Sequence, residues 1–270
     1  MENVVKVFCA MLAFVLSGCS TTSTAPETAH PAQSVPSKSI GVIELRNYLV
    51  KPGAAATFND LFSAHFQSSM QAMGVSILGR FRIKKNNDHF VWIRGYETMA
   101  QRQEFLNDYY YGNAEWKKYK KDANALIRNS DNVCLLRPLS SDGTLDARPA
   151  ITSSVFGNGN SFAVVDFYIA NTRLRELATF FTSTYLPRLS AAGCNTTLWI
   201  SETSENGFPQ LPVFQDKNLL VAITFYRSEK EYKAKSEKLE ESLSAEINAG
   251  MQDIVTIHNR MLLVPFNETK

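Results

Sequence analysis

The chain writes one short pattern twice: Asn132-Val133-Cys134-Leu135-Leu136-Arg137-Pro138 and, 127 residues later, Asn259-Arg260-Met261-Leu262-Leu263-Val264-Pro265. Both read N-x-x-L-L-x-P. Upstream of each, a second pair of stretches corresponds: Ile43–Val50 (IELRNYLV) with Val164–Asn171 (VVDFYIAN), which sets Tyr48 on Tyr168. Between them, Phe90–Glu97 (FVWIRGYE) corresponds to Leu220–Arg227 (LVAITFYR), setting Tyr96 on Tyr226. Identity is low, but the order of matches is kept, which marks an internal duplication of a unit of roughly 100 residues. The change of offset falls around Gly207–Lys217, a proline-containing insertion read as a hairpin.

Each copy carries the same succession of periodicities. In the first, 42–50 alternates as a strand and Lys51-Pro52-Gly53 breaks it. Residues 54–72 then place apolar side chains at helical spacing, and Gly74 stops them. Two strand-like runs, 75–84 and 89–96, flank Lys85-Asn86-Asn87-Asp88, which reads as a hairpin turn. A helical stretch over 98–129, interrupted near Gly112-Asn113, leads to the last strand at 132–137. In the second copy the same order runs through 161–169, 172–191, 196–203, 218–226, 229–255 and 258–265. The expected fold is therefore α+β: two tandem ferredoxin-like βαββαβ repeats, over 40–139 and 161–266, joined by a Ser/Gly/Asn/Asp-rich linker at 140–160. Helices cover one face of such a sheet, so two units in one chain are expected to pack their bare faces together as a pseudo-dimeric α+β barrel.

Composition narrows the functional classes. The 270 residues carry 28 Lys+Arg against 26 Asp+Glu, a balance that leaves no basic excess for nucleic acid. Four cysteines exclude a disulfide-dense scaffold, and four histidines with no H-x-x-x-H, H-E-x-x-H or C-x-x-C leave no metal motif. No Walker string, G-x-G-x-x-G or G-x-S-x-G occurs. The unbroken apolar run Val7–Leu16 is too short to span a bilayer and fits the core of a secretory signal. It ends in Leu16-Ser17-Gly18-Cys19, which resembles the lipobox of bacterial lipoproteins. That resemblance implies a signal peptide over 1–18, lipidation of Cys19 and, with Ser20 rather than Asp following, delivery to the outer membrane facing the periplasm. Residues 19–39, rich in Ser, Thr, Ala and Pro, then read as a flexible tether. The expected partners are the membrane through Cys19 and an unknown small molecule; homo-oligomers stay open.

Several longer strings together resemble the NIPSNAP family: Phe90-Val91-Trp92-Ile93-Arg94-Gly95-Tyr96, Tyr109-Tyr110-Tyr111-Gly112, Trp116-Lys117, Ala123-Asn124-Ala125 and Asn132–Pro138 in the first copy, and Asn206-Gly207-Phe208-Pro209-Gln210-Leu211-Pro212-Val213 in the second. Phe214, Gln215 and Asp216 follow where that family often carries Arg. The resemblance implies kinship with dimeric α+β barrel proteins, among them monooxygenases and haem-binding enzymes, and brings no settled catalytic set.

Strand alternation divides each strand into two faces. One face of the first copy carries Ile43, Leu45, Leu49, Val91 and Ile93, expected beneath the helices. The other carries Glu44, Arg46, Tyr48, Arg80, Arg82, Trp92, Arg94 and Tyr96, expected to line the hollow between the sheets with Val164, Asp166, Tyr168, Thr224 and Tyr226 of the second. Arg46, Tyr48, Trp92, Arg94, Tyr96, Asp166, Tyr168 and Tyr226 are thus the candidate ligand-binding residues. Aromatic walls with a few convergent charges suit a small-molecule pocket, and an Arg cluster suits a carboxylate or phosphate. A buried charge network kept for structure is the competing reading. Arg46 and Asp166 correspond, so they are expected to pair across the barrel or to hold a polar ligand jointly. No cofactor is expected; haem is the alternative, tied to an oxygenase or haem-handling activity with Arg46, Arg94, Tyr96 and His65. His65 lies on an apolar helix face, which suits a core histidine. Cys134 and Cys194 fall in different structural slots, and whether they bond is open.

Overall fold

The computed structural model describes residues 37–156 and 161–266. The signal run, Cys19 and most of the tether lie outside the described residues. Eight strands form the centre: β1 (Val42–Val50), β2 (Ser76–Ile83), β3 (Asn86–Tyr96), β4 (Val133–Pro138), β5 (Phe162–Ala170), β6 (Asn195–Ser201), β7 (Leu219–Tyr226) and β8 (Val255–Pro265). Their order is β3-β2-β8-β5-β7-β6-β4-β1, and a β1–β3 pairing closes the ring. Every neighbouring pair is antiparallel. The result is a mixed α+β fold around a closed β-barrel. Closure removes the free sheet edges that an open four-stranded sheet would present.

The N-terminal half contributes β4-β1-β3-β2 and the C-terminal half β8-β5-β7-β6, so strand order within the two halves is the same. The two N-x-x-L-L-x-P strands are the stitches between halves. On β4, Leu136, Arg137 and Pro138 face Ser201, Ile200 and Trp199 of β6. On β8, Leu263, Val264 and Pro265 face Ile83, Arg82 and Phe81 of β2. The hairpin between β2 and β3 is tighter than the sequence suggested. Strand β3 already starts at Asn86, and Lys85 takes the left-handed conformation at φ 63°.

Helices cover the outside. In the N-terminal half, Ala55–Leu61, a π-helical turn at Phe62–Phe66 and Gln67–Ala72 run on without a break as α1. Met99–Asn107 with a π-helical turn at Asp108–Gly112 forms α2, capped by Thr98, whose hydroxyl accepts from the Gln101 amide. Ala114–Leu126 forms α3, capped in the same way by Asn113 through the Trp116 amide. In the C-terminal half α4 repeats the plan of α1: Leu174–Phe180, a π-helical turn at Phe181–Tyr185, then Leu186–Ala191. Helices α5 (Glu229–Ser242) and α6 (Ala245–Ile254) follow, with Ser228 and Ser244 as N-caps. None of the helices among the described residues is long and apolar enough to cross a membrane.

The core lies in separate layers. The barrel lumen is filled by one aliphatic set drawn from both halves, including Ile43, Leu45, Val91, Ile93, Val165, Val221 and Ile223. Burying each such side chain stabilises the fold by about 1.5–3 kcal/mol relative to leaving it in water. Phe156, from the segment between the halves, stops one end of the lumen against Trp199 and Phe225. The aromatic residues form a second layer under α1–α3, where Phe58, Phe62, Phe66, Phe90, Trp92, Tyr96 and Phe105 pack together. Smaller layers lie under α4 and α5.

Candidate functional site

The two strand faces are exchanged relative to the sequence reading. Ile43, Leu45, Val91 and Ile93 point into the lumen, not beneath the helices. Tyr48, Trp92 and Tyr96 pack under the helices of their own half, and Tyr168 and Tyr226 do so in theirs. The charged candidates share that outer face. The reason is dielectric: a lumen packed with aliphatic side chains offers a charge no polar partner, whereas the helix layer supplies Arg102 to Glu44 and Asn59 to Arg80. Beta strand β2 adds a register shift between Ile77 and Gly79, so Leu78 and Phe81 both reach the lumen while Arg80 donates to Asn59 Oδ1 of α1 at 2.8 Å. Arg46 and Asp166 do not meet. Arg46 pairs with Glu44 and Tyr48; Asp166 pairs with His258 and Arg260.

The N-terminal half builds a charge cluster around one carboxylate. Cross-strand register sets Glu44 of β1 opposite Arg94 of β3, and Arg46 opposite Trp92. Glu44 Oε2 accepts from Arg46 Nη1 and Arg94 Nε, each at 2.5 Å. Its Oε1 accepts from Arg102 Nε of α2 at 2.7 Å. All four side chains are at most 1% exposed. Burial alone would raise the Glu44 pKa, but Arg94, Arg46 and Arg102 together hold it well below the usual carboxylate range. Arg46 Nε also donates to the Tyr48 hydroxyl at 2.9 Å. Burial lifts the Tyr48 and Tyr96 hydroxyls above the ordinary phenol value, so both stay protonated at neutral pH. The Arg94 guanidinium lies over the rings of Trp92, Tyr96 and Phe105 at 5.1, 5.8 and 5.5 Å.

Beside this cluster lies a cavity of about 290 Å³ between barrel and helices, walled by Tyr48, Phe62, Trp92, Tyr110 and Trp116. Its remaining wall comes from the other half of the molecule. The insertion after β6 is not a hairpin; it is an irregular strap that crosses to the N-terminal half. Arg102 donates to the Asn206 carbonyl at 2.6 Å and to Asn206 Oδ1 at 2.9 Å. The Asn206 amide in turn donates to the carbonyls of Phe208 and Leu211, which folds the strap back on itself. Gly207, at φ 69°, makes the turn. Phe208 is buried against Tyr110 and Tyr111 of the α2 π-helical turn, and Gln210 and Leu211 complete the cavity wall. Beyond the cavity, Phe214 exchanges backbone hydrogen bonds with Val133 and Leu135 of β4. The N-x-F-P-x-L-P-V string was visible in the sequence, but nothing in its spacing says that it walls a pocket in the opposite half.

The C-terminal half has its own cavity, about 180 Å³, bordered by Asp166, Tyr168, Thr224, Tyr226 and Arg260. Here Asp166 Oδ1 accepts from Arg260 Nε at 2.6 Å and bonds His258 Nε2 at 2.8 Å, and His258 stacks on Tyr168 at 4.5 Å. Arg260 and His258 are more than two-fifths exposed. A third space of about 480 Å³ opens at the unplugged end of the lumen, between Leu45, Cys134, Phe167, Leu219 and Met261. The space between the sheets is therefore packed except at this end, and its lining is the aliphatic set that the sequence reading had placed beneath the helices.

Of the remaining sequence candidates, His65 falls outside these cavities and Cys134 borders only the third. His65 stacks on Tyr119 at 3.6 Å with its Nδ1 3.8 Å from Glu115, and it lines none of them. It is not placed to ligate a haem in the N-terminal cavity, whose walls contain neither His nor Cys among the described residues. Among the described residues no group of three or more His, Cys, Asp or Glu could hold a metal ion. Cys134 and Cys194 are both free and buried.

No family model matches this sequence, and no curated protein matches it. Solved structures do. Two bacterial proteins that carry the name "putative monooxygenase" superpose over most of both chains. The protein from Fusobacterium nucleatum subsp. nucleatum has a TM-score of 0.55 at 12% identity, covering 84% of this chain and 92% of that one. The protein from Lactobacillus acidophilus has a TM-score of 0.53 at 8% identity, covering 83% and 92%. A haem-binding protein from Thermus thermophilus gives a TM-score of 0.48 at 11% identity, covering 86% and 94%. At these identities the likeness is one of fold, that of the dimeric α+β barrel proteins.

Proposed function

We propose that this chain is a small-ligand-binding protein of the NIPSNAP type, built from two tandem ferredoxin-like repeats and held at the cell envelope by a lipidated Cys19. The repeat reading draws on the matching strand order of the halves and on the π-helical turns that α1 and α4 share. The binding reading is carried by one observation. The aromatic-walled cavity of the N-terminal half takes its remaining wall from a strap of the other half, which docks through Asn206 and Phe208. Concave, mainly apolar walls with few polar groups suit a small organic ligand.

N-Phenyl-1-naphthylamine, a neutral aromatic fluorophore, tests this reading with the full chain. Saturable binding at one site, lost when Met70→Trp fills the cavity, is expected. No saturable binding, or binding indifferent to Met70→Trp, overturns it. The alternative, an oxygenase working in the same cavity, draws on the two monooxygenase-named neighbours; oxygen uptake on adding a bound aromatic compound would favour it over simple binding. For the anchor, Cys19→Ser is expected to release the protein from membranes, and continued retention would defeat that part.

A further inference from the structure

We infer that the open mouth of the barrel is a second binding site, which takes an apolar molecule with an uncharged, hydrogen-bonding head, an alcohol or a primary amide. Eight strands enclose an interior that side chains fill or that holds one small ligand. Here the lumen does both. Phe156 stops one end, while the other keeps a space of about 480 Å³ floored by Leu45, Phe167, Leu219 and Met261. That space exceeds both helix-layer cavities and falls in the range of small-molecule sites, which recur in barrel mouths.

Its lining continues the rows that pack the lumen. The inward row of β1 passes from Leu45 to Asn47, that leading into β4 from Cys134 to Asn132, and that of β8 from Met261 to Asn259. Each row is apolar at the floor and turns to an amide at the mouth. Asn132 and Asn259 open the two N-x-x-L-L-x-P copies, so the duplication sets an amide at the same place in each half. Both amides are exposed, and among the described residues neither has a side-chain hydrogen-bond partner. Asn47 Oδ1 meets His89 Nδ1 at 2.7 Å, but its Nδ2 reaches only the weak acceptor Met261 Sδ, at 3.8 Å.

The flanks are apolar and wet. Among the described residues three large apolar side chains are exposed, Tyr111, Phe214 and Ile257, and the last two border this mouth. Backbone bonds hold Phe214 there: its amide donates to the Val133 carbonyl at 2.6 Å, and its carbonyl accepts from the Leu135 amide at 3.2 Å. Ile257 sits at a register shift in β8, a device that re-aims side chains beside sites. Exposed apolar side chains around a concave apolar floor mark a surface that a ligand covers. The head group follows from charge. No Lys, Arg or His borders the space, and Asp131 is its one ionised group. A carboxylate entering here would give up water and gain no cation. An ammonium would meet a single exposed carboxylate, a pairing worth little. Three amides, by contrast, offer a hydroxyl or amide both donors and acceptors.

The test titrates 1-octanol, octanamide, octanoate and octylamine into the full chain and follows the side-chain amide NMR signals of Asn47, Asn132 and Asn259. Octanol or octanamide is expected to shift them saturably and to bind about tenfold or more tighter than octanoate or octylamine. Met261→Trp, which fills the space, is expected to abolish the shifts. Ile257→Asp, at an exposed position, is expected to weaken binding and serves if the tryptophan variant does not fold. The shifts should persist in Met70→Trp, so this site stands or falls apart from the N-terminal cavity. No saturable shift, octanoate or octylamine binding as tightly as the neutral compounds, or shifts that follow protein concentration alone because a second copy covers the mouth, each overturns the inference.

Discussion

The two halves of this barrel share a backbone plan and differ in what they bury. At corresponding positions the N-terminal half has Glu44, Arg46, Trp92 and Arg94 where the C-terminal half has Val164, Asp166, Ala222 and Thr224. In the first, four charges are sealed behind aromatic rings and tied to helix α2. In the second, one carboxylate is paired with Arg260 and His258, both of which still touch water. Tyr48 and Tyr168, and Tyr96 and Tyr226, keep the same places in both. The difference teaches that the scaffold tolerates either chemistry at this layer, so the buried cluster is an addition to the fold and not a requirement of it.

The largest test of that contrast removes the one anion. Glu44→Gln is expected to cost about 3–5 kcal/mol, because it leaves three buried guanidinium groups uncompensated. Asp166→Asn in the other half is expected to cost about 1 kcal/mol or less, since its partners are partly solvated. Urea unfolding of the two variants measures both, and equal losses would erase the distinction between the halves. The pH dependence has a defined sign. The folded pKa of Glu44 lies below its unfolded value of about 4.3. Its stabilisation is therefore complete above that value and is lost as pH falls below it toward the folded pKa. Thermal melts should show the gap between the unaltered chain and Glu44→Gln constant from pH 8 to 5 and narrowing below pH 4.

Next in size is Phe208→Ala. It removes the ring that seats the strap against Tyr110 and Tyr111, at a cost of about 3 kcal/mol, the low end for a buried phenylalanine. Fluorophore affinity should fall with it, and the C-terminal cavity should not respond. Asn206→Ala strips the strap of its bonds to Arg102, Phe208 and Leu211. Only the side-chain share is lost, so about 1–2 kcal/mol is expected, together with faster amide exchange confined to the strap. The smallest effect concerns the thiols. Burial pushes the Cys134 thiol up to about 12. Labelling of the native protein with a thiol reagent at pH 8 should therefore leave Cys134 unmodified until urea unfolds the chain.

The element order was legible because each strand and helix announces its own period, and the repeated N-x-x-L-L-x-P located the strands that join the halves. Alternation also sorted Ile43 from Glu44 and Ile93 from Arg94 correctly into two sets. It could not say which set faces the lumen, because both faces of β1 and β3 are buried and periodicity carries no label for inside. The usual rule that charges seek the open side fails here, since the charged face is the one roofed by helices. The bulge in β2 was hidden for a related reason: a single extra residue leaves no trace in composition. The strap was illegible for want of any local signal, because its partners Arg102, Tyr110 and Tyr111 lie about a hundred positions away in the chain.

That strap sets a condition on how the protein comes into being. The pocket of the half synthesised first stays roofless until the β6–β7 connection has left the ribosome, so nascent chains halted before Asn206 should expose the Tyr110–Tyr111 ledge. A polypeptide severed in the segment between the halves would have to reunite its pieces before it could regain the strap's wall of the cavity, which makes split-chain complementation a direct gauge of that wall.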